Sequence, residues 1–479
     1  MRETDAGLDA ALAALHATAV EKLREKLLGG AAAPMEESRG LQRLADALSL
    51  AAVEEIEKSI ADVLATVKAL SRVVIKYVAT VAADAGNVAA ALALDDNARP
   101  MLCVLKAVVD RLSRRELDEA VYGDKELRRW LPFVLTACCF VSGDELPGSD
   151  LMQSVVVAEE TLDACVKLEK LEQRKQLLSK HVGQIVALCS QDVDKDEWVA
   201  AESINKKVML RVVEQVAFPF LGGDLLGRLL ALTFPLVDDL TDATQRVGAR
   251  LLRHIVNNVT PTELRWYSDV LLEVLHTAIV SRKPATLDVL LDCLVESLDK
   301  VSPPGKLKHY DRFTPRLLSD TSLSSDIVVR VVFVRHLRGL VSRQGAPHSL
   351  NVIRYLQPLL KVLIAGFESV NVSMLVETLK TLQTTILAAW PRIAPHSEHI
   401  FVGVLRAVAF CELFEPGAEF TPSSKEKEQL LVLCEDVLDL LHDVNAASSV
   451  ISDMLATVGA HSPKLAPFCE RVQARWPSR

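Results

Sequence analysis

Apolar residues recur along this chain at helical spacing, and no run of strictly alternating apolar and polar residues interrupts them. Leu8, Leu12, Leu15, Leu23 and Leu27 outline a first amphipathic helix. After the Gly- and Ala-rich "GGAAAPMEESRG" at 29–40, expected to be a flexible break, the stripe resumes through Leu41, Leu44, Leu48, Ile56, Ile60, Leu64, Val67 and Val74. Further helices are predicted at 100–121 and 125–141, then a loop at 142–150, then one long charged helix at 151–190.

From about residue 200 the punctuation becomes regular. Val247, Leu251, Leu252, Ile255 and Val259 form the apolar face of a helix at 242–258. Thr260 then caps a second helix, with Pro261 at its first position and Glu263 placed to complete a capping box. Leu264, Leu271, Leu275 and Ile279 give that helix its buried stripe, and Pro284 begins a third, carrying Leu287, Leu290, Leu291 and Leu294. The same spacing predicts helices at 326–343, 347–367, 371–390, 397–413, 424–443, 447–459 and 463–475. A helix pair recurring every ~40 residues without a fixed signature predicts an all-α, HEAT/armadillo-like helical-repeat solenoid. Two regions are expected: an Ala-rich helical region at 1–198 and the repeats at 199–479. One stretch breaks the rhythm. "VSPPGKLKHYDRFTPRLLSDTSLSSD", 301–326, is too long for an ordinary connection between helices and reads as a loop. Its basic cluster, Lys306, Lys308, His309, Arg312 and Arg316, is either solvated charge or a receiver for an acidic or phosphorylated segment.

Composition narrows the field. Half the residues are apolar and only 5% aromatic, which suits a helical protein with a large aliphatic core. Mean hydropathy is high at +0.22. Yet the longest uncharged run, Trp130 to Gly143, contains Pro132 and is shorter than the ~20 apolar residues a spanning helix needs, so no membrane role is expected. Glu3, Asp5 and Asp9 speak against a transit peptide. The nine cysteines are scattered without a C-x-x-C pair, as in a protein of a reducing compartment; the cytoplasm is expected, with the nucleus second. A net charge of −9 argues against a general nucleic-acid binder.

Candidate chemistry is sparse. Asp192, Asp194 and Asp196 match the start of a calcium loop, but Glu197 stands where the glycine is needed and Ser203 where the closing glutamate belongs. His396 and His399 are spaced to share a helix face, yet two histidines make no zinc site. Cys138 and Cys139 lie in an apolar run that would keep their thiols inert. Gly222, Gly223 and Gly227 follow no strand, and Ser203 with Lys206 forms an isolated S-x-x-K. No nucleophile comes with a base, so neither an enzyme nor a metal or cofactor site is expected. Attention turns to "TQRVGARLLRHIVNNVTPTEL" at 244–264. Val247, Leu251, Leu252 and Ile255 are its expected core, and His254 borders them as a hydrogen-bonded, half-buried histidine. Arg246, Arg250, Arg253 and Asn257 share the opposite face, either as solvated charge or as a docking face for carboxylates.

The segments "DDLTDATQRVGARLLRHIVNNVTPTEL" (238–264), "FVRHLRGLV" (333–341) and "LVETLKTLQTTILAAWPRI" (375–393) resemble the Tel-two-interacting protein two family of subunits of the Triple T (TTT) co-chaperone complex. The similarity covers about residues 215–440. It is carried by Gln245, Gly248, Leu252, His254 and Ile255 in the first block and by Glu377, Thr378, Leu379, Lys380, Trp390, Pro391 and Arg392 in the third. The resemblance implies a scaffold without catalytic residues. It would join Tel-two and Tti-one type helical-repeat subunits and, with the ninety-kilodalton heat-shock chaperone, support maturation of phosphatidylinositol-3-kinase-related kinases, which act in growth signalling and DNA-damage checkpoints. Gln245, Arg246, Arg250, Arg253, Asn257, Trp390 and Arg392 become the interface candidates; Trp390 is equally readable as a core residue closing the helix that Pro391 stops. The rival reading is a transport-type helical-repeat adaptor carrying protein cargo.

Overall fold

The computed structural model describes residues 17–28, 35–83, 88–114, 124–143, 152–191, 193–200, 203–303, 307–344, 349–413 and 422–476, with Leu8, Ala11 and Leu12. Among these residues the chain is all-α and built of stacked helical hairpins of HEAT/armadillo-like type. It divides into two compact units, Met1–Thr244 and Gln245–Arg479.

The first unit contains α1 (Ala17–Leu28), α2 (Met35–Leu50), α3 (Val53–Lys58), α4 (Ile60–Ala83), α5 (Val88–Ser113), α6 (Asp124–Val141), α7 (Gln153–Leu168), α8 (Arg174–Ser190), α9 (Lys195–Val199), α10 (Ile204–Glu214) and α11 (Asp224–Val237). Hairpins α4–α5 and α6–α7 stack in two layers, α2, α5 and α7 in one and α1, α4 and α6 in the other. Val67, Leu70, Val74 and Val78 repeat at three- and four-residue spacing on α4 and are fully buried between the layers.

The second unit takes up α12 (Asp242–Asn257) from Gln245 onward, and continues with α13 (Pro261–Arg265), α14 (Ser268–Ala278), α15 (Pro284–Val301), α16 (Lys308–Leu323), α17 (Ile327–Ser342), α18 (Leu350–Arg354), α19 (Leu356–Gly366), α20 (Val372–Ala388), α21 (Ser397–Leu413), α22 (Ser424–Val444), α23 (Val450–His461) and α24 (Ala466–Gln473). Helices α15, α17, α20 and α22 form one layer; α16, α19 and α21 form the other. The capping box forms as its sequence implies: Thr260 Oγ1 accepts from the Glu263 amide, and Glu263 accepts from the Thr260 amide at 3.1 Å. Two glycines let neighbouring helices approach closely. A Cβ on Gly403 would stand 2.6 Å from the Phe367 ring, and one on Gly366 2.5 Å from Thr378 Oγ1.

Several elements depart from the sequence pattern. The stretch 301–326 is not a loop, because Lys308–Leu323 is helical. Tyr310, Phe313, Thr314, Leu317, Leu318 and Thr321 give it a continuous buried stripe, and burial of that stripe outweighs the interior Pro315. The single helix expected at 151–190 is two, separated by a turn at Lys170. Lys170 adopts a left-handed φ of 58°, and the Leu171 amide donates back to the Val166 carbonyl at 3.0 Å. This is a helix-ending motif usually signalled by glycine, which is absent here. The helix predicted from Thr260 breaks at Trp266 and Tyr267, and that at 347–367 breaks at Tyr355. The break expected at 29–40 is helical from Met35; residues 29–34, Asp192 and Lys306 lie outside the described residues, as does most of the loop expected at 142–150. No described helix is long and apolar enough to cross a membrane.

Candidate interaction surface

Helix α12 is divided into the two faces its spacing implies. Leu251, Leu252 and Ile255 are wholly buried, joined by Ala249 and Val256; Val247 is only half-buried, at the edge of the apolar stripe rather than within it. Arg246, Arg250, Arg253 and Asn257 are exposed, and Gln245 and His254 half-buried. His254 is tied to the end of its helix, where Asn258 Nδ2 donates to the His254 carbonyl at 2.9 Å.

The exposed cations of α12 face partners in the same chain. Arg246 Nε donates to Thr286 Oγ1 at 3.2 Å, and Arg253 Nη2 lies 2.5 Å from Asp292 Oδ2, both on α15. From α15, Lys300 Nζ reaches back to the carbonyls of Val256, Asn257 and Val259 at 2.6, 2.9 and 3.2 Å. The last carbonyls of a helix lack amide donors, and an ammonium group both satisfies them and complements the negative end of the helix dipole. Burial pulls the Lys300 pKa down, against Glu296 and Asp299, which raise it.

The same device repeats from helix to helix in this layer. Asp288 on α15 accepts from His336 Nε2 at 2.8 Å and Arg335 at 3.1 Å on α17. The His336 hydrogen bond is the main influence holding the Asp288 carboxyl below its usual value, against burial. Glu296 on α15 pairs with Arg343 on α17. Arg338 on α17 pairs with Glu377 on α20 at 3.2 Å, and Arg335 lies 3.8 Å from the same carboxylate. Gln383 on α20 meets Asp436 on α22 at 3.5 Å, and Arg471 and Arg475 bind Glu435 on α22 at 2.6 and 2.8 Å. The result is a ladder of cross-helix charge contacts. Each exposed rung contributes at most ~1 kcal/mol, so its chief effect is to set the register between neighbours.

Other sequence candidates are dispersed. Trp390 does not end helix α20, which closes at Ala388; it opens a 3-10 turn, half-buried, while Pro391 and Arg392 are exposed. The turn arises because the backbone nitrogen of Pro391 cannot donate to a continuing helix. His396 sits in a second 3-10 turn and His399 in α21, so they do not share a helix. Two members of the basic cluster of 301–326 are paired within the chain: Arg312 donates to Glu273 at 2.6 Å, and Arg316 to Asp320 at 3.0 Å, with His276 Nε2 2.9 Å away. Burial, with Arg316 beside it, lowers the His276 pKa. Asp194 caps α9 by accepting from the Glu197 amide at 2.8 Å. Lys206 is spent on the carbonyls of Val199 and Ala200 at 3.1 and 2.7 Å. Burial pushes the Cys138 thiol well up. Among the described residues no three His, Cys, Asp or Glu side chains gather as a metal site would require.

Sequence reasoning missed a feature of the first unit. Glu169 at the end of α7 is buried with His181 Nε2 at 3.0 Å and with Lys180. Burial alone would raise the Glu169 pKa, but the two hydrogen bonds outweigh it and leave it lowered. The alternation of charges in "KLEKLEQRKQLLSKH" gave no sign of which glutamate turns inward.

No family model matches the chain. Among curated proteins it is 24% identical over 270 residues to "TELO2-interacting protein 2" of Homo sapiens, an alignment covering 54% of this chain and 51% of that relative. Among solved structures it is similar to the karyopherin Kap121p: 14% identical with a TM-score of 0.49 for the form bound to Nup53p, over 95% of this chain and 49% of the other. An engineered protein covers 95% of this chain and 98% of its own length at 16% identity, with a TM-score of 0.39. What the curated likeness supports is distant and partial kinship with a TELO2-interacting protein, carried by about half of each chain.

Proposed function

We propose that this chain is a non-enzymatic scaffold and adaptor subunit of a TTT-type co-chaperone complex. In this reading it binds Tel-two and Tti-one type helical-repeat proteins and, through that assembly and the ninety-kilodalton heat-shock chaperone, supports the stability of phosphatidylinositol-3-kinase-related kinases. It would work in the cytoplasm, with a share in the nucleus, without a cofactor, nucleic acid or membrane. The observation that carries the reading is the similarity to TELO2-interacting protein 2. The stacked hairpins support it, since a repeat surface can bind other repeats over a large area without any pocket.

The test is native purification of the tagged full chain from cells, with mass spectrometry of what comes with it. Large helical-repeat proteins of the Tel-two and Tti-one kind should appear in stoichiometric amounts. A small switch GTPase with cargo proteins in their place would instead identify a transport adaptor, and a chain that always purifies alone would end the scaffold reading. Arg246, Arg250, Arg253, Asn257, Gln245, Trp390 and Arg392 remain the proposed contacts. Reversing charge at Arg246 and Arg250 together should weaken capture of the partner while leaving helicity unchanged.

A further inference from the structure

On α22, Glu435, Asp439 and His442 fall at i, i+4 and i+7 and so share one stripe of the helix. The turn that follows α24 lies along that stripe. Arg475 spans the two carboxylates, with Nη1 2.8 Å from Glu435 Oε2 and Nη2 2.7 Å from Asp439 Oδ2, while Arg471 Nε donates to Glu435 Oε1 at 2.6 Å. Trp476 Nε1 donates to Asp439 Oδ1 at 2.8 Å, and its ring stacks on the His442 imidazole with 4.4 Å between centres and 13° between planes. Glu435 is only 8% exposed beneath these contacts and His442 9%. What holds α24 to the core lies upstream: Phe468, Cys469 and Val472 are buried, whereas Ala474 and Arg475 are exposed and Trp476 is half-buried. Lifting Arg475 and Trp476 therefore leaves the apolar contacts of α24 in place. It vacates Glu435 Oε2, the carboxylate of Asp439 and one face of the His442 ring. A carboxylate shielded from water and stripped of its cation is costly until another cation takes the position.

We propose that this stripe of α22 is a docking site for a segment of another protein that carries an arginine followed by an aromatic residue, and that Arg475 and Trp476 are its built-in competitor. The incoming guanidinium takes the place of Arg475 between Glu435 and Asp439, and the incoming ring takes that of Trp476 on His442. The chemistry of the occupant is defined by what this chain itself seats there. A lysine would supply the charge without the two parallel donors of a guanidinium. Because the competitor is tethered, its local concentration is high, and a free segment binds only to the fraction of molecules whose turn is lifted. The proposal does not depend on the reading of the chain as a TTT-type subunit.

The test is fluorescence anisotropy of a labelled synthetic peptide, Glu470 to Trp476, titrated with the full chain in two forms: wild type and the double variant Arg475→Ala, Trp476→Ala. The double variant should bind the peptide about tenfold or more tightly than wild type does, and a peptide with alanine at both positions should bind neither. Adding Asp439→Asn to the double variant should weaken the peptide by about tenfold or more. A random peptide library displayed on phage and selected on the double variant should be enriched in arginine followed by Trp, Tyr or Phe. If the double variant loses its cooperative melting transition, Arg475→Ala alone takes its place, since that side chain is exposed. Equal binding of the peptide by wild type and variant, binding by neither, or selection of segments without arginine overturns the proposal. So does a wild-type dimer that dissociates on Arg475→Ala, which would assign the stripe to exchange between two copies of this chain.

Discussion

Two cationic surfaces of this protein look alike in sequence and differ in what stands opposite them. On α12 in the second unit, Arg246 and Arg253 meet Thr286 and Asp292 of the next helix, and Lys300 closes over the end of α12. On α4 in the first unit, Arg72 rests its guanidinium against the Phe133 ring, 5.0 Å from its centre, with Lys68 Nζ 4.7 Å from the same centre. A cluster of cations is therefore no docking surface by itself, since a neighbouring helix can answer it with a carboxylate, a hydroxyl or a ring. Where the neighbouring helix does so, the contacts also set register.

The contrast can be broken most severely at the apolar floor of α12. Leu251→Ala or Ile255→Ala should cost ~2–5 kcal/mol, because both side chains are fully buried. Urea denaturation would show it, and an unchanged midpoint would mean that α12 is not anchored by this face. Next in size is the buried version of a closed charge cluster. Glu169→Gln should cost roughly 1–3 kcal/mol, since His181 and Lys180 lose their carboxylate. The sign follows from the lowered pKa of Glu169. Its contribution is complete above the unfolded-state carboxyl value of ~4.3 and disappears as pH falls through the lower folded-state value. Stability measured across acid pH should thus fall less steeply in the Gln variant. Smaller still, Arg253→Ala should cost at most ~1 kcal/mol, because the pair with Asp292 is partly exposed. A double-mutant cycle with Asp292→Ala measures the coupling, and a coupling of zero would remove this rung. Smallest is Arg72→Glu, expected to shift stability by no more than ~0.5 kcal/mol, because Arg72 is exposed.

Much of the second unit was legible in the residue pattern. The capping box at Thr260, the helix starting at Pro284 and the buried leucines of α15 stand where three- and four-residue spacing places them. Helix α16 was not legible, since prolines at 303, 304 and 315 and a polar surface conceal a stripe that depends on Tyr310 and Phe313 for its bulk. The turn between α7 and α8 was hidden because Lys170 occupies the left-handed position without glycine. The site was harder to read than the fold for one physical reason. Asp292 lies on the helix pair after Arg253, and Phe133 lies on the hairpin after Arg72, so their meeting is decided by stacking and not by local periodicity.

The ladder in the second unit has an evolutionary corollary. A rung holds only while both of its ends keep opposite sign, so Asp288 with Arg335, Glu296 with Arg343 and Glu377 with Arg338 should drift as couples among descendants of this sequence. Loss of one member should be tolerated chiefly where its mate has already become neutral, leaving correlated pairs spaced by roughly one repeat as the fossil trace of how the hairpins were first aligned.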